Sequence, residues 1–225
     1  MRRFSCIVGS VFLAMTQAQA ELVINGSTIS SNATVPVTNS DTYTPNNNFQ
    51  SCLANLRSQA IAAGVSGSTY DRYTQNLTPD YSVIDKLNYQ PEFSTPIWDY
   101  LSGLVDEERV ALGKQKLAQH RDVLNRASQV YGVPAETIVA VWGVESNFGD
   151  ISGNYPLLQA LGTLSCEGRR QSYFRTEFFA TMRILQRGDL TEDQLKGSWA
   201  GAFGHTQFMP STYERLAVDF DGDGR

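Results

Sequence analysis

The chain is poor in histidine, cysteine and basic residues, and each shortage closes off a class of function. Two histidines (His120 and His205) and three cysteines among 225 residues are too few for a His/Cys-rich zinc framework. Eighteen Lys and Arg stand against 23 Asp and Glu, giving a net charge of −5. That is the wrong sign for a dedicated nucleic-acid binder, whose phosphate contacts need clustered cations. No GxxxxGK[ST] or GxGxxG segment occurs, so the usual phosphate cradles of nucleotide enzymes are missing. Internal repeats and alternating strand pairs with hairpin turns are lacking too. What remains is ordinary globular material. Hydrophobic residues make up 41% and charged residues 18%, enough apolar substance for a core and too little net charge for a disordered chain. The length fits one or two domains.

The apolar run Ile7 to Met15 is too short for a stable membrane span. Arg2 and Arg3 precede it and Ala18-Gln19-Ala20 follows it, so residues 1–20 read as a secretory signal peptide cleaved after Ala20. No other stretch reaches transmembrane length, and no lipobox cysteine follows the apolar core. Cleavage would leave a net charge of −7. Residues 21–48, rich in Asn, Thr and Ser and devoid of Lys and Arg, read as a flexible leader. Asn25, Asn32 and Asn76 lie in N-x-[ST] sequons, which carry weight only in a glycosylating pathway. Cys6 would leave with the signal peptide. Cys52 and Cys166 then remain, either as a disulfide, which an oxidising compartment favours, or as two separate buried thiols.

From Phe49 onward the chain reads as mainly α. Leu53, Leu56, Ala60 and Ile61 recur at helical spacing and Gly64 ends the run. Residues 77–97 hold Pro79, Pro91 and Pro96 and are expected to be extended or looped. One long helix is expected from Asp106 to Tyr131, with Val110, Leu117 and Leu124 inward and Gly132 as breaker. Pro134 opens the next helix, expected to close at Gly149. A further helix spans about Ser172 to Arg187, with Phe174, Phe178, Met182 and Leu185 in step. Thr191-x-x-Gln194 fits a capping box, and a Gly/Ala-rich loop (197–204) leads to a short helix after Pro210.

One residue conflicts with its surroundings. In TIVAVWGVESNFG (137–149) the single ionisable side chain is Glu145, which continues the stripe Ile138, Val141, Trp142. Apolar neighbours on the other faces predict a helix buried nearly all round. Burial and the negative end of the helix dipole both disfavour a charged carboxylate, and both raise its pKa. A carboxylic acid kept protonated near neutral pH is what general-acid catalysis needs. The bland reading is a structural Glu paired with Arg169, Arg170 or Arg175. Glycoside chemistry commonly uses two carboxylates. Asp150, Glu167 and Glu177 are near in sequence, but a single acid/base suffices when a substrate hydroxyl acts as nucleophile.

Three further segments stand out. GSWAGAFGHTQFMPST (197–212) mixes small residues that admit close backbone approach with Ser198, His205, Gln207 and three aromatics, a blend suited to a sugar. It also reads as a tightly packed corner. GRRQSYF (168–174) places Arg169 and Arg170 for carboxylate binding and Tyr173 for stacking, or else as a solvated helix start. In DFDGDGR (219–225), Asp219, Asp221, Asp223 and Gly224 match positions 1, 3, 5 and 6 of a calcium loop. The sequence stops at the seventh position, Arg225, short of the acidic twelfth, and so reads as a fragment of a longer protein.

Taken together, YGVPAETIVAVWGVESNFG (131–149), LGTLSCEGRRQSYFRTEF (161–178), GSWAGAFGHTQFMPST (197–212) and AVDFDGDG (217–224) resemble the MltB-type lytic murein transglycosylases (membrane-bound lytic transglycosylase B family). The resemblance covers residues 49–225 and implies a mainly α, lysozyme-like catalytic domain, incomplete at its C-terminal end. It implies cleavage of the β-1,4 bond between N-acetylmuramic acid and N-acetylglucosamine in peptidoglycan, leaving a 1,6-anhydro-muramoyl end, for cell-wall turnover. Glu145 takes the place of the family's catalytic acid/base. Ser198 and Gln207 match positions that contact the sugar, Arg169, Arg170 and Tyr173 match positions lining the glycan and peptide groove, and Tyr100 matches a further groove tyrosine. Asp219, Asp221, Asp223 and the backbone of Arg225 match a structural Ca2+ loop. No cofactor is implied for the chemistry. The implied partner is the peptidoglycan glycan strand, with no nucleic acid and no membrane span, and the location is periplasmic. The competing readings are a hydrolytic muramidase on the same fold, a non-catalytic peptidoglycan-binding envelope protein and a calcium-regulated structural module.

Overall fold

The computed structural model describes residues 49–88, 95–220 and 222, so the expected signal peptide and leader lie outside the described residues. Helix α1 (Phe49–Ala62) forms as the spacing predicts, burying Phe49, Leu53, Leu56 and Ala60, while Ile61 is exposed. Gly64, at φ 91°, turns the chain. Helix α2 (Gly67–Thr74) starts on the hydroxyl of Ser66, which accepts the Thr69 amide, and it buries Tyr70 and Thr74. The Tyr70 hydroxyl donates to the Leu53 carbonyl of α1 at 2.6 Å.

The stretch expected to be extended contains α3 (Ser82–Asn88), which buries Val83, Ile84 and Leu87, and α4 (Ile97–Leu104) follows directly on Pro96. Proline forbids helix interiors and leaves a helix between two prolines free to form. The expected long helix is two. α5 (Glu107–Gln119) is capped by the Asp106 carboxylate on the Arg109 amide, and α6 (Arg121–Tyr131) ends at left-handed Gly132. The break falls at His120 (φ −106°, ψ 23°). Val110 is exposed while Leu124 is buried, so the apolar stripe does not run straight, and the bend lets both helices pack on α7 (Ala135–Ser146).

Helix α8 (Leu157–Cys166) and helix α9 (Gln171–Arg187) form the centre of the larger core. α8 is buried from Leu157 to Ser165 except at half-buried Gln159, and its hydroxyls bond within the helix: Thr163 to the Gln159 carbonyl and Ser165 to the Leu161 carbonyl. Such back-bonding satisfies polar groups that burial would otherwise penalise. Phe174, Phe178, Met182 and Leu185 all face inward, as their spacing predicts. The capping box at Thr191 and Gln194 forms around a 3-10 turn (Glu192–Gln194), and α10 (Pro210–Leu216) follows the Gly/Ala-rich loop.

A two-residue antiparallel pair, β1 (Tyr155–Pro156) with β2 (Lys196–Gly197), was not expected. It is too short to show an alternating pattern.

Two apolar clusters result. The larger draws on α1, α2, α3, α8 and α9 with Leu195 and Phe203. The smaller gathers Leu124, Val139 and Phe148 with Leu112, Leu117, Ile138 and Trp142, from α5, α6, α7 and the turn after α7. No helix of the described residues is long and apolar enough to cross a membrane.

Cys52 of α1 and Cys166 of α8 are bonded, with Cα atoms 5.9 Å apart and a sequence separation of 114. In the chain-entropy account a bridge over so long a loop contributes about 4–5 kcal/mol. Replacing both cysteines by alanine should lower the unfolding free energy by about 3–5 kcal/mol in urea titrations. A change below about 1 kcal/mol would show that packing alone aligns α1 with α8.

Glu177, only 3% exposed, accepts both the amide (2.9 Å) and the hydroxyl (2.7 Å) of Ser211, and so holds the start of α10 against α9. Glu177→Ala should cost about 1–3 kcal/mol, because it strands a Ser211 donor. Unfolding titrations at fixed pH would read this directly, and an unchanged midpoint would contradict it.

Candidate active site

Glu145 is the penultimate residue of α7, half-buried. Burial pushes its carboxyl up from the ordinary value. The last carbonyls of the helix point the same way and add to the effect. Among the described residues no hydrogen bond and no ion pair reaches the Glu145 side chain, so the alternative pairing with Arg169, Arg170 or Arg175 does not form. The helix is less enclosed than its sequence suggests. Val139, Gly143 and Ser146 are buried, whereas Ala140 and Val144 are exposed. These exposed positions line an apolar groove of about 230 Å³ between α5 and α7, with Val110 and Gly113 opposite. Glu145 does not line that groove.

The helix ends at Ser146 rather than Gly149. Asn147, Phe148 and Gly149 follow with φ of 48°, 60° and 97°. Left-handed backbone at Phe148 is costly, on the order of 1–2 kcal/mol. It tucks the Phe148 ring under Gly143, where a Cβ would meet it at 2.6 Å, and edge-on to Trp142 at 5.6 Å. Ser146 ties the turn together. Its hydroxyl accepts the Gly149 amide (3.0 Å) and donates to the His205 carbonyl (2.7 Å), and its own carbonyl accepts the Ile151 amide.

The His205 bond brings in the loop that carries Ser198 and Gln207. Bridges from Gly197 to Phe203 and from Phe203 to Phe208 fold it on itself. The Ser198 hydroxyl accepts the Ala202 amide at 3.0 Å, which fixes the side chain within the loop. Gln207, at φ 49°, turns its amide nitrogen onto the carbonyls of Ser152 (3.0 Å) and Gly204 (2.9 Å). The loop is thus stitched to residues 146–152, immediately after Glu145.

Arg169, Arg170 and Tyr173 form a separate group at the start of α9. Arg169 donates to the Leu87 carbonyl, and the Arg170 guanidinium lies 4.5 Å from the centre of the Tyr173 ring. Arg170 is itself left-handed, at φ 62°. Burial pushes the half-buried Tyr173 hydroxyl up in pKa. No contact among the described residues links this group directly to Glu145. Tyr100 lies exposed on α4, with no hydrogen bond or ring contact from its side chain among the described residues. Asp219 accepts the Gly222 amide at 2.7 Å. Asp221, Asp223 and Arg225 lie outside the described residues. Of the nearby carboxylates, Glu177 is committed to Ser211 and Asp150 is exposed.

Sequence reasoning passed over Ser146 and Trp142 and gave His205 little weight. Trp142 was read as core. It does pack on the smaller cluster, and it is also flanked by His205, nearly parallel at 5.6 Å, by His120 edge-on at 5.4 Å, and by the Lys116 ammonium at 5.6 Å. In the structure, all four described non-glycine residues at positive φ (Asn147, Phe148, Arg170, Gln207) fall inside the motifs singled out from the sequence, in keeping with backbone strain near a functional site.

The family profile described as Transglycosylase SLT domain matches residues 48–225. Membrane-bound lytic murein transglycosylase B of Escherichia coli K12 is 44% identical over 140 residues, 61% of this chain and 36% of that protein. The crystal structure of SltB3 from Pseudomonas aeruginosa in complex with NAG-anhNAM-pentapeptide superposes with a TM-score of 0.75 at 42% identity. It covers 80% of this chain and 48% of that one. The Escherichia coli lytic transglycosylase Slt35 in complex with calcium gives a TM-score of 0.67 at 35% identity, over 80% and 57% of the two chains. The chain therefore spans from about a third to just over half of these relatives. With its mainly helical, lysozyme-like fold, it belongs to the family of SLT-domain transglycosylases.

Proposed function

We propose that residues 49–225 belong to the catalytic domain of a peptidoglycan lytic transglycosylase, with Glu145 as its acid/base. The observation that carries this reading is an unpaired, half-buried carboxyl with a raised pKa at the end of α7, beside a polar, small-residue loop fastened to the same turn. Protonated Glu145 gives its proton to the glycosidic oxygen as the bond from the muramoyl C1 to that oxygen breaks. The C6 hydroxyl oxygen of the same sugar then closes on C1, and its proton passes to the Glu145 carboxylate. The product is a 1,6-anhydro-muramoyl end, and the acid is regenerated. No second protein carboxylate is needed, in keeping with the commitment of Glu177 to Ser211. An anhydro-muramoyl ligand is bound in the SltB3 relative.

Ser198 and Gln207 take the sugar beside Glu145 in this reading. Arg169, Arg170 and Tyr173 line the glycan and peptide groove, and Tyr100 sits further along it. Asp219, Asp221, Asp223 and the Arg225 backbone would hold a structural calcium ion, as the calcium complex of Slt35 suggests. Asp219 already has one oxygen fixed in the loop by the Gly222 amide. No cofactor takes part in the chemistry. The partner is the glycan strand, and the setting is the periplasm, reached through residues 1–20.

Glu145→Gln should lower peptidoglycan turnover by about 10²–10⁴-fold, the usual worth of a general acid/base, with the fold intact. Turnover within a few-fold of wild type would remove Glu145 from this role.

The same substitution should stabilise the protein at neutral pH. A carboxyl with a raised folded-state pKa binds its proton more tightly in the native state, so its stability contribution falls as pH rises from about 4 toward neutrality. Glutamine carries no such charge. Thermal melts should give the variant a higher Tm at pH 7 and a smaller difference at pH 4. An equal difference at both pH values would contradict a buried, titrating Glu145.

A further inference from the structure

We propose that His205 is a positioning residue for Glu145: its ring, seated on Trp142 and Gly149, holds the 197–208 loop in register with the end of α7. This rests on the reading of Glu145 as the acid/base.

Glu145 belongs to a helix of the smaller cluster, whereas Phe203 in the loop bearing Ser198 and Gln207 is part of the larger core. The two must be aligned for an acid on one to act on a sugar held by the other. His205 provides that alignment through both its backbone and its ring. Its carbonyl accepts the Ser146 hydroxyl at 2.7 Å, one residue past Glu145. Its ring lies on the Trp142 indole, 5.6 Å between centres and 19° from parallel, one turn before Glu145. The third seat is Gly149. A Cβ there would stand 2.5 Å from His205 Cε1, so only glycine lets the ring down onto the turn, and its φ of 97° suits glycine in any case.

His205 is nevertheless exposed, although its ring rests on both Trp142 and Gly149. An exposed ring contributes little to the core, so its removal should leave the fold standing while loosening the register. Flat stacking calls for an aromatic ring at this position and has no need of a proton on it. A histidine acting in proton transfer would differ in that respect.

The test compares His205→Ala and His205→Phe with the wild-type chain by murein turnover and by hydrogen exchange. His205→Ala should lower kcat about 10- to 100-fold, the size expected for a small misplacement of a reacting group, with KM within about 2-fold. Exchange should quicken at the Gly149 and Ile151 amides, which bond to Ser146, and stay unchanged in α8 and α9. His205→Phe should restore most of kcat and the slow exchange. The proposal is overturned if His205→Ala keeps wild-type kcat and exchange. It is overturned equally if His205→Phe is as impaired as His205→Ala. If no form turns over murein, exchange at Gly149 and Ile151 alone decides whether His205 clasps the turn.

Discussion

The candidate site depends on how the end of α7 is joined to the 197–208 loop. α7 packs with α5 and α6 around a small apolar cluster, and the loop is anchored in the large core through Phe203. Neither cluster by itself ties the end of α7 to the loop. Hydrogen bonds do so: Ser146 to His205, and Gln207 to Ser152. Each links a residue just after Glu145 to the loop, and the left-handed run at 147–149 bends the chain so that both can form.

The same constraint explains features that look unfavourable in isolation. Phe148 in left-handed backbone costs energy, yet it fills the space beneath Gly143 and Trp142. Glu145 costs energy too, since burial raises its pKa and no partner among the described residues offsets this. A partner would restore the ordinary carboxylate and remove the proton that general-acid chemistry requires. The large core supplies the margin that such a site consumes. α8 is nearly fully buried, α9 buries one whole face, the Cys52–Cys166 bond closes a long loop, and the Glu177–Ser211 bonds hold α10.

Much of this was legible in the sequence, for reasons that differ from element to element. α9 and α1 were read because their apolar residues recur over three turns or more, a pattern that tertiary context reinforces. α2 and α3, with eight and seven residues, are too short for that, and neighbouring prolines masked α3. The break at His120 escaped notice because no glycine or proline marks it. The burial of α7 was overestimated because its valines and alanines say nothing of whether a neighbour covers each face, and Val144 faces an open groove. Glu145 stood out because one acid among apolar residues is a chemical conflict visible without structure. His205 did not, since its role comes from Trp142 and Gly149, more than fifty residues away in sequence.

In the proposed reaction a single acid, Glu145, drives closure of a sugar hydroxyl onto C1 rather than attack by water. Mass spectrometry of the fragments released from purified peptidoglycan tests it most directly. Muropeptides ending in 1,6-anhydro-muramic acid are the expected product. Fragments ending in reducing muramic acid would contradict it and show a hydrolase on the same fold.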